Sequence, residues 1–134
     1  MTGTIAQVGF GYWGPNLARN LNDLAGPRWR DLVDSSPERR QTASALYPRL
    51  RVTGDLDAVL ADDEVTAVLI ATPVSTHAAL AQRALDAGKH VFVEKPLSLT
   101  VADAKRAIDA TAAAGVVLQV GLNRRRQPAN RRIK

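Results

Sequence analysis

The chain has 134 residues, 46% of them hydrophobic and 4% aromatic, with no cysteine and a formal net charge of +5. This length suffices for one compact domain, and the missing thiols exclude disulfides and thiolate metal sites, so we expect no metal and a reducing, cytoplasmic location. Residues 1–123 carry 12 basic and 13 acidic side chains, so the excess charge lies in the tail and the body offers no basic face for nucleic acid.

Apolar runs alternate with helical patterns along the chain, and none approaches the roughly 20 residues of a membrane span. The predicted strands are Ile5 to Val8, Trp29 to Val33, Arg51 to Thr53, Thr66 to Ala71, His90 to Val93 and Val116 to Val120. The predicted helices are Pro15 to Leu24, one from Ser36 to about Tyr47, Asp55 to Ala61, one capped by Ser75 or Thr76 that ends at Gly88, and Thr100 to Ala114. This order predicts an α/β fold with a doubly wound parallel sheet in a single domain.

A glycine motif follows the first predicted strand and opens the first predicted helix. The segment Gly9-Phe10-Gly11-Tyr12-Trp13-Gly14 fits G-x-G-x-x-G. Gly9 permits a tight turn, Gly11 lets a pyrophosphate approach the backbone, and Gly14 lets the helix pack against the strand. Free N–H groups at the helix start then face the phosphates. The motif predicts a Rossmann-type dinucleotide site, and a glycine turn without a ligand is the alternative.

An acidic residue stands at the end of the second predicted strand. Asp34 lies 20 residues after Gly14, where a carboxylate can accept hydrogen bonds from the adenosine ribose hydroxyls. The carboxylate would repel the 2′-phosphate of NADP, so NAD is the favoured cofactor. Arg39 and Arg40, a helical turn further on, could weaken that preference. Alternatively, Asp34 is only a turn residue.

Two further segments follow the next buried strands. Thr72 and Pro73 form a small, rigid turn that could lie along the cofactor, and His77 follows as either a site residue or a packing residue. Glu94, Lys95 and Pro96 end the strand after that. Lys95 could hold a substrate hydroxyl and carry its proton during hydride transfer. The alternative is a surface lysine paired with Glu94.

These segments together resemble one protein family. The glycine motif, Asp34, Thr72-Pro73 with His77, and Glu94-Lys95-Pro96 occur in the order and at the spacing of the Gfo/Idh/MocA oxidoreductases over residues 4–121. The resemblance implies a Rossmann domain followed by an α+β domain. It also implies NAD(P)-dependent chemistry at a carbon of a sugar, nucleotide sugar or polyol, and a homo-oligomer in the complete enzyme. Within the family, the motifs look most like the branch acting on nucleotide-linked sugars, such as UDP-N-acetylglucosamine 3-dehydrogenase.

The resemblance also assigns roles to individual residues. Lys95 would contact both the nicotinamide and the substrate and act as the catalytic residue. The implied cofactor-binding residues are Gly9, Phe10, Gly11, Tyr12, Trp13, Gly14, Asp34, Thr72, Pro73, His77, Glu94 and Lys95.

The chain departs from the family pattern at its carboxyl end. The family completes its catalytic site with an Asp and a His from the second domain, whereas this chain ends at Lys134. We therefore expect a dinucleotide-binding domain over residues 1–121 and a basic tail over residues 122–134 that begins a missing domain. Such a chain should have little or no activity alone, and a non-catalytic NAD-binding fragment or sensor is the alternative function.

The tail carries six cations and no acid. They are Arg124, Arg125, Arg126, Arg131, Arg132 and Lys134. Clustered cations can neutralise nucleic-acid phosphates, but we expect a solvated segment leading to the next domain and no nucleic-acid partner.

Overall fold

Strands and helices alternate along the chain, as the apolar pattern predicts. The computed structural model describes residues 2–128. The six strands of this part are β1 (Thr4–Val8), β2 (Trp29–Val33), β3 (Arg51–Thr53), β4 (Val65–Ile70), β5 (His90–Val93) and β6 (Leu118–Val120). Its five α-helices are α1 (Gly14–Ala25), α2 (Pro37–Leu46), α3 (Leu56–Ala61), α4 (Val74–Asp86) and α5 (Val101–Ala114). The last described residues include a short 3₁₀ turn at Asn123–Arg126.

The strands form one parallel sheet in the order β3-β2-β1-β4-β5-β6. This is the order of a doubly wound Rossmann sheet, as the prediction of that fold requires, and the strand order reverses between β1 and β4. Val8 at the end of β1 pairs with Val33 on one side and with Ile70 on the other. The carboxyl ends of the central strands are therefore level, and the loops that follow them meet at one edge.

Two apolar clusters cover the two faces of the sheet. One joins Val68 and other residues of β1, β4 and β5 to Ala81 and Leu85 of α4 and to Ala107 of α5. The other surrounds Trp29, which is fully buried and meets Tyr47 edge-on with ring centroids 4.9 Å apart. Because small alanines let the helices approach the sheet closely, few aromatic side chains are needed to fill the core.

Three of the five described α-helices begin with a side-chain cap. Ser36, Asp55 and Thr100 each accept a backbone N–H from the first turn of α2, α3 and α5. Gly115 ends α5 with a positive φ of 65°, as expected of a left-handed terminator. Within residues 2–128, no helix has the length and apolar character needed to cross a bilayer.

The start of α4 differs from the prediction. Pro73 is the residue before the helix, and no side chain caps it, so the predicted caps Ser75 and Thr76 were wrong. Pro73 has φ −58° and ψ 143°, outside the helical region, and the helix begins directly after it. Thr76 lies in the first turn, where its hydroxyl donates to the Pro73 carbonyl at 2.7 Å. Smaller differences are the start of β4 at Val65, one residue early, and that of β6 at Leu118, two residues late.

Ion pairs connect β2, β3 and the loop before β4. They lie at the edge of the sheet opposite the carboxyl ends of the strands. Asp31 is fully buried and receives Arg30 and Arg51. Both arginines also reach Asp62, at 2.6 Å and 3.0 Å. The hydrogen bond from Arg51, a backbone N–H from Glu64 and the charge of Arg30 lower the pKa of Asp62 to about 2.

The Asp62 contribution to stability should depend on pH. Its pKa is lower in the folded chain than the usual 3.8, so the carboxylate stabilises the fold above that value and loses its effect as the pH falls toward 2. We expect Asp62→Asn to lower the urea midpoint at pH 7 and to approach the wild type at low pH. Asp63→Asn, at an exposed neighbour, is the control. A pH-independent deficit in Asp62→Asn would contradict this account.

Candidate functional site

A cleft of about 750 Å³ opens at the carboxyl edge of the sheet. One wall is the glycine loop, with Gly9, Gly11, Tyr12 and Trp13. The facing residues come from three segments: Asp34, Ser35 and Arg39 after β2, Gly54 and Leu56 around α3, and Thr72, Pro73, Thr76, Leu80 and Arg83 after β4. The structure therefore brings the predicted glycine motif, Asp34 and the Thr-Pro turn to a single cavity.

The three glycines of the loop are required for three different reasons. Gly9 has a φ of +99°, and an added Cβ would lie 2.4 Å from the Ala71 carbonyl oxygen. A Cβ on Gly14 would lie 2.5 Å from the Gly9 carbonyl oxygen. A Cβ on Gly11 would meet only the movable Arg39 side chain, at 3.3 Å. Packing therefore explains Gly9 and Gly14, whereas Gly11 leaves open space on the cleft side.

A buried glutamine supports this loop from below. Gln7 is fully buried in β1, and its Nε2 donates to the carbonyls of Gly9 and Gly14, each at 2.9 Å. Its Oε1 has no hydrogen-bond partner within the described residues. Gln7 is not among the site residues predicted above, although a polar side chain inside the apolar Ile5 to Val8 strand is a visible signal. Gln7 fixes the separation of the first and third glycines.

Asp34 closes the loop from the side. Its carboxylate accepts the Phe10 N–H at 2.7 Å and the Ser36 N–H at 2.8 Å, and the residue is 5% exposed. Arg39 Nη1 lies 3.9 Å from the carboxylate and lines the cleft. Arg40 instead donates to the backbone carbonyls of Asp34 and Ser35. The two arginines thus have different roles, and only Arg39 faces the cavity.

The aromatic positions of the motif differ in exposure. Phe10 is 5% exposed and its ring packs in the core, so this residue contributes its backbone rather than its ring to the glycine loop. Tyr12 is 97% exposed and Trp13 is 46% exposed at the cleft. The Trp13 indole N–H donates to Glu94 Oε1 at 3.1 Å, which joins the glycine loop to the loop after β5.

His77 lies behind the cleft wall rather than on it. The residue is 2% exposed, and its two ring nitrogens lie 2.7 Å from the Pro96 carbonyl oxygen and 2.8 Å from the Thr72 carbonyl oxygen. Thr72 and Pro73, by contrast, line the cavity, and the Thr72 hydroxyl bonds that of Thr76 at 2.7 Å.

Lys95 lies between two fixed neighbours. Glu94 is held by Trp13 and by its own N–H, which donates to the Ile70 carbonyl at 3.0 Å, and the Pro96 carbonyl is held by His77. Lys95 itself is exposed, and in the described part of the chain no ion pair joins it to Glu94. The arrangement fixes the backbone on both sides and leaves the ammonium group at the edge of the sheet. The tail positions Arg131, Arg132 and Lys134 lie outside the described residues.

Comparison with known proteins identifies the family. The family model described as "Oxidoreductase family, NAD-binding Rossmann fold", GFO_IDH_MocA, matches residues 4–122. The chain belongs to the Gfo/Idh/MocA oxidoreductase family. Both the Rossmann fold and the family resemblance stated from the motifs are thereby confirmed.

Several members of the Gfo/Idh/MocA family are similar over most of this chain. The scyllo-inositol 2-dehydrogenase (NAD(+)) of Bacillus subtilis is 45% identical over 125 residues, which are 92% of this chain and 36% of that protein. The inositol 2-dehydrogenase of Paracoccus denitrificans is 36% identical over 96% of this chain and 39% of its own length.

Solved structures of the family superpose closely. GenD2 from gentamicin A biosynthesis, solved in complex with NAD, gives a TM-score of 0.85 at 38% identity. WlbA of Bordetella pertussis, solved with NADH and UDP-GlcNAcA, gives 0.84 at 31% identity. The matches cover 94% and 93% of this chain but 36% of each of those proteins. The chain thus spans less than half the length of each relative named here.

The Gln7 support of the glycine loop can be tested by removing its donor. Gln7→Met keeps a similar volume but leaves the Gly9 and Gly14 carbonyls without their buried partner. We expect the free energy of unfolding to fall by about 2 kcal/mol, measured by urea denaturation. Gln82→Met on the surface of α4, which removes only a bond to Asp86, should change it by less than about 0.5 kcal/mol. Equal effects of the two substitutions would refute the supporting role.

Proposed function

We propose that this chain is the NAD-binding unit of an oxidoreductase that transfers hydride between nicotinamide and a carbon of a sugar, nucleotide sugar or polyol. The observation that carries the proposal is the shared cleft. The glycine loop, Asp34 and the Thr-Pro turn face one cavity at the carboxyl edge of the sheet, where open α/β folds bind nucleotides. We assign the dinucleotide-binding domain to residues 1–121.

The start of α1 is suited to a pyrophosphate. The helix begins at Gly14 and carries no acidic side chain in its first turn, so its positive end meets no competing anion. Pro15 has no N–H and the Asn16 N–H donates to the Trp13 carbonyl, so the donors for a phosphate would come from the glycine loop before the helix. Gly11 leaves the space that a phosphate requires, because an added Cβ there would point at nothing but Arg39.

The adenosine would lie beyond the pyrophosphate, between Asp34 and α4. The carboxylate of Asp34 uses one backbone N–H on each oxygen and keeps lone pairs for the ribose hydroxyls. Leu56 and Leu80 provide apolar surface for the adenine. Asp34 disfavours a 2′-phosphate through charge repulsion, and Arg39 beside it reduces that penalty. We therefore propose NAD as the preferred cofactor, with weaker binding of NADP.

The nicotinamide would lie at the other end of the cleft, near Thr72 and Lys95. When bound, the oxidised nicotinamide supplies the hydride acceptor. Lys95 stands on a backbone fixed at Glu94 and Pro96, which suits a group that must hold a substrate hydroxyl and carry its proton. The names of the inositol dehydrogenases and the UDP-GlcNAcA complex of WlbA support a polyol or nucleotide sugar as the substrate class.

A cofactor-binding module without turnover is the second candidate. Within residues 2–128, no hydrogen bond or ion pair joins Lys95 to another ionisable side chain that could share proton transfer. Catalysis would then require groups beyond the described site.

Cofactor binding can be separated from folding by comparing two glycines of the loop. Excess NAD should raise the melting temperature of the wild type, because ligand binding stabilises the folded state by mass action. Gly11→Ala should fold normally and lose this shift, since its methyl group occupies the phosphate space. Gly14→Ala should melt at a lower temperature even without NAD, because its Cβ collides with the Gly9 carbonyl.

The NAD experiment has clear contradicting outcomes. A folded wild type that shows no shift at millimolar NAD would refute the cofactor proposal. A Gly11→Ala variant with an unchanged shift would refute the placement of the pyrophosphate against this loop. A larger shift with NADP than with NAD would refute the role given to Asp34.

Turnover by the 134-residue chain tests the catalytic proposal. We expect little or no NAD reduction with scyllo-inositol, other polyols or nucleotide sugars. If the wild type does turn over, Lys95→Met should lower the rate by about 100-fold or more, as expected for loss of a proton-transfer group. Sustained wild-type turnover would eliminate the non-catalytic candidate, and turnover unaffected by Lys95→Met would eliminate Lys95 as the catalytic residue.

A further inference from the structure

One face of α4 lines the cleft along most of the helix. Pro73, Thr76, Leu80 and Arg83 all border the cavity, and their spacing of three or four residues places them on the same side of the helix. Thr76 stands at the near end, where its hydroxyl meets that of Thr72. Arg83 follows seven residues later, which corresponds to about 10 Å along the helix axis. Arg83 therefore borders the cleft well away from the Thr-Pro turn.

An ion pair joins Arg83 to the neighbouring helix. Its Nη2 pairs with the Asp57 carboxylate of α3, and the Arg83 side chain remains 45% exposed. Within residues 2–128, neither its Nε nor its Nη1 makes a hydrogen bond. Hydrogen bonds to a guanidinium lie in its plane, so the pair with Asp57 occupies one edge and leaves both faces of the group available for stacking.

Two leucines provide apolar surface beside this cation. Leu56 of α3 and Leu80 of α4 line the same cavity as Arg83. Both leucines are partly buried against the core, which holds their side chains in place. Aliphatic side chains and a weakly hydrated guanidinium plane together form a surface that suits the face of an aromatic base better than a sugar or a phosphate.

The diphosphate is the other part of a dinucleotide that attracts an arginine, but a different arginine lies beside its proposed place. The three atoms nearest to a Cβ added on Gly11 all belong to Arg39, the closest at 3.3 Å. Arg39 also lies 3.9 Å from the Asp34 carboxylate, so it serves the region of the ribose and the diphosphate. This arrangement leaves Arg83 to the base.

We propose that Arg83 is a base-binding residue, whose guanidinium plane stacks on the adenine of the dinucleotide beside Leu56 and Leu80. This inference rests on the proposed function and adds a contact that the glycine loop, Asp34 and Lys95 do not supply. A guanidinium is attracted to the face of an aromatic ring, and the leucines bury apolar surface of the same ring. Arg83 therefore strengthens the binding of every ligand that carries the adenine, whatever group stands at its other end.

The affinities of two adenine-containing ligands test this role. We expect Arg83→Met to weaken the binding of NADH and of ADP-ribose roughly fivefold in calorimetry, because methionine keeps apolar length and loses the charged plane. Arg83→Lys should recover little of this loss, since an ammonium group is compact, strongly hydrated and not planar. Arg106→Met is the matched control. Arg106 is also an exposed helical arginine paired with an aspartate, but it does not line the cleft, so both affinities should stay unchanged.

A fluorescent base analogue measures the stacking separately from the affinity. The etheno derivative of NAD carries its fluorophore in the adenine ring. With this ligand fully bound, we expect the neutral quencher acrylamide to reach the base more readily in Arg83→Met than in the wild type and in Arg106→Met. Equal quenching of the bound base in the wild type and in Arg83→Met would overturn the stacking.

The outcomes separate this inference from the proposed function. Unchanged affinities in Arg83→Met, full wild-type affinity in Arg83→Lys or an equal loss in Arg106→Met would each overturn the role of Arg83 and leave NAD binding in place. If Arg83→Met failed to fold, Arg83→Lys, which keeps a cation for Asp57, would decide by the same criterion. If the folded wild type bound neither ligand, the proposed function would fail and the role of Arg83 would fail with it.

Discussion

The site depends on four backbone hydrogen bonds that extend the sheet by one residue beyond the strand ends. The N–H groups of Gly9, Ala71, Glu94 and Gly121 donate to the last carbonyls of the neighbouring strands, at 2.8 to 3.0 Å. Parallel strands have evenly spaced ladders, so one level register places four loops at the same edge. Without this alignment, the glycine loop and the Thr72-Pro73 turn would not share a cleft, and Lys95 would not lie at the same edge of the sheet.

Four polar side chains then fix the loops relative to one another. Gln7 joins the two ends of the glycine loop, at Gly9 and Gly14, and Asp34 joins that loop to the end of β2. Trp13 joins it to Glu94, and His77 joins the loops after β4 and β5. Three of these residues are buried, where an unpaired polar group is costly. Because leaving one of these buried groups unpaired would destabilise the fold, the loops are restricted to a single arrangement.

The sequence predicted the elements well because each depends on local chemistry. Alternating apolar runs, the caps at Ser36 and Asp55 and the terminator Gly115 need no knowledge of distant residues. The family and the fold followed from motifs with fixed spacing. The start of α4 was missed because it has no side-chain cap, whereas the prediction placed it at the hydroxyl of Ser75 or Thr76.

Contacts between distant segments could not be predicted from the sequence. Nothing local connects Trp13 to Glu94, which is 81 residues away. His77 was placed among cofactor-binding residues because its motif was, but only the packing of α4 shows that its ring turns away from the cleft. Likewise, the sequence alone does not distinguish Arg39 from Arg40, because their roles differ only in the direction that the helix gives each side chain.

The placement of the two tryptophans gives the protein a built-in optical probe. Trp29 is enclosed in the core, whereas Trp13 lies half exposed at the cleft with its indole bonded to a carboxylate. Their emission should therefore differ in wavelength and in accessibility to quenchers. Emission from Trp29 reports whether the core is intact, and emission from Trp13 reports whether a ligand occupies the cleft. Unfolding and ligand binding can therefore be followed separately in a single unlabelled sample.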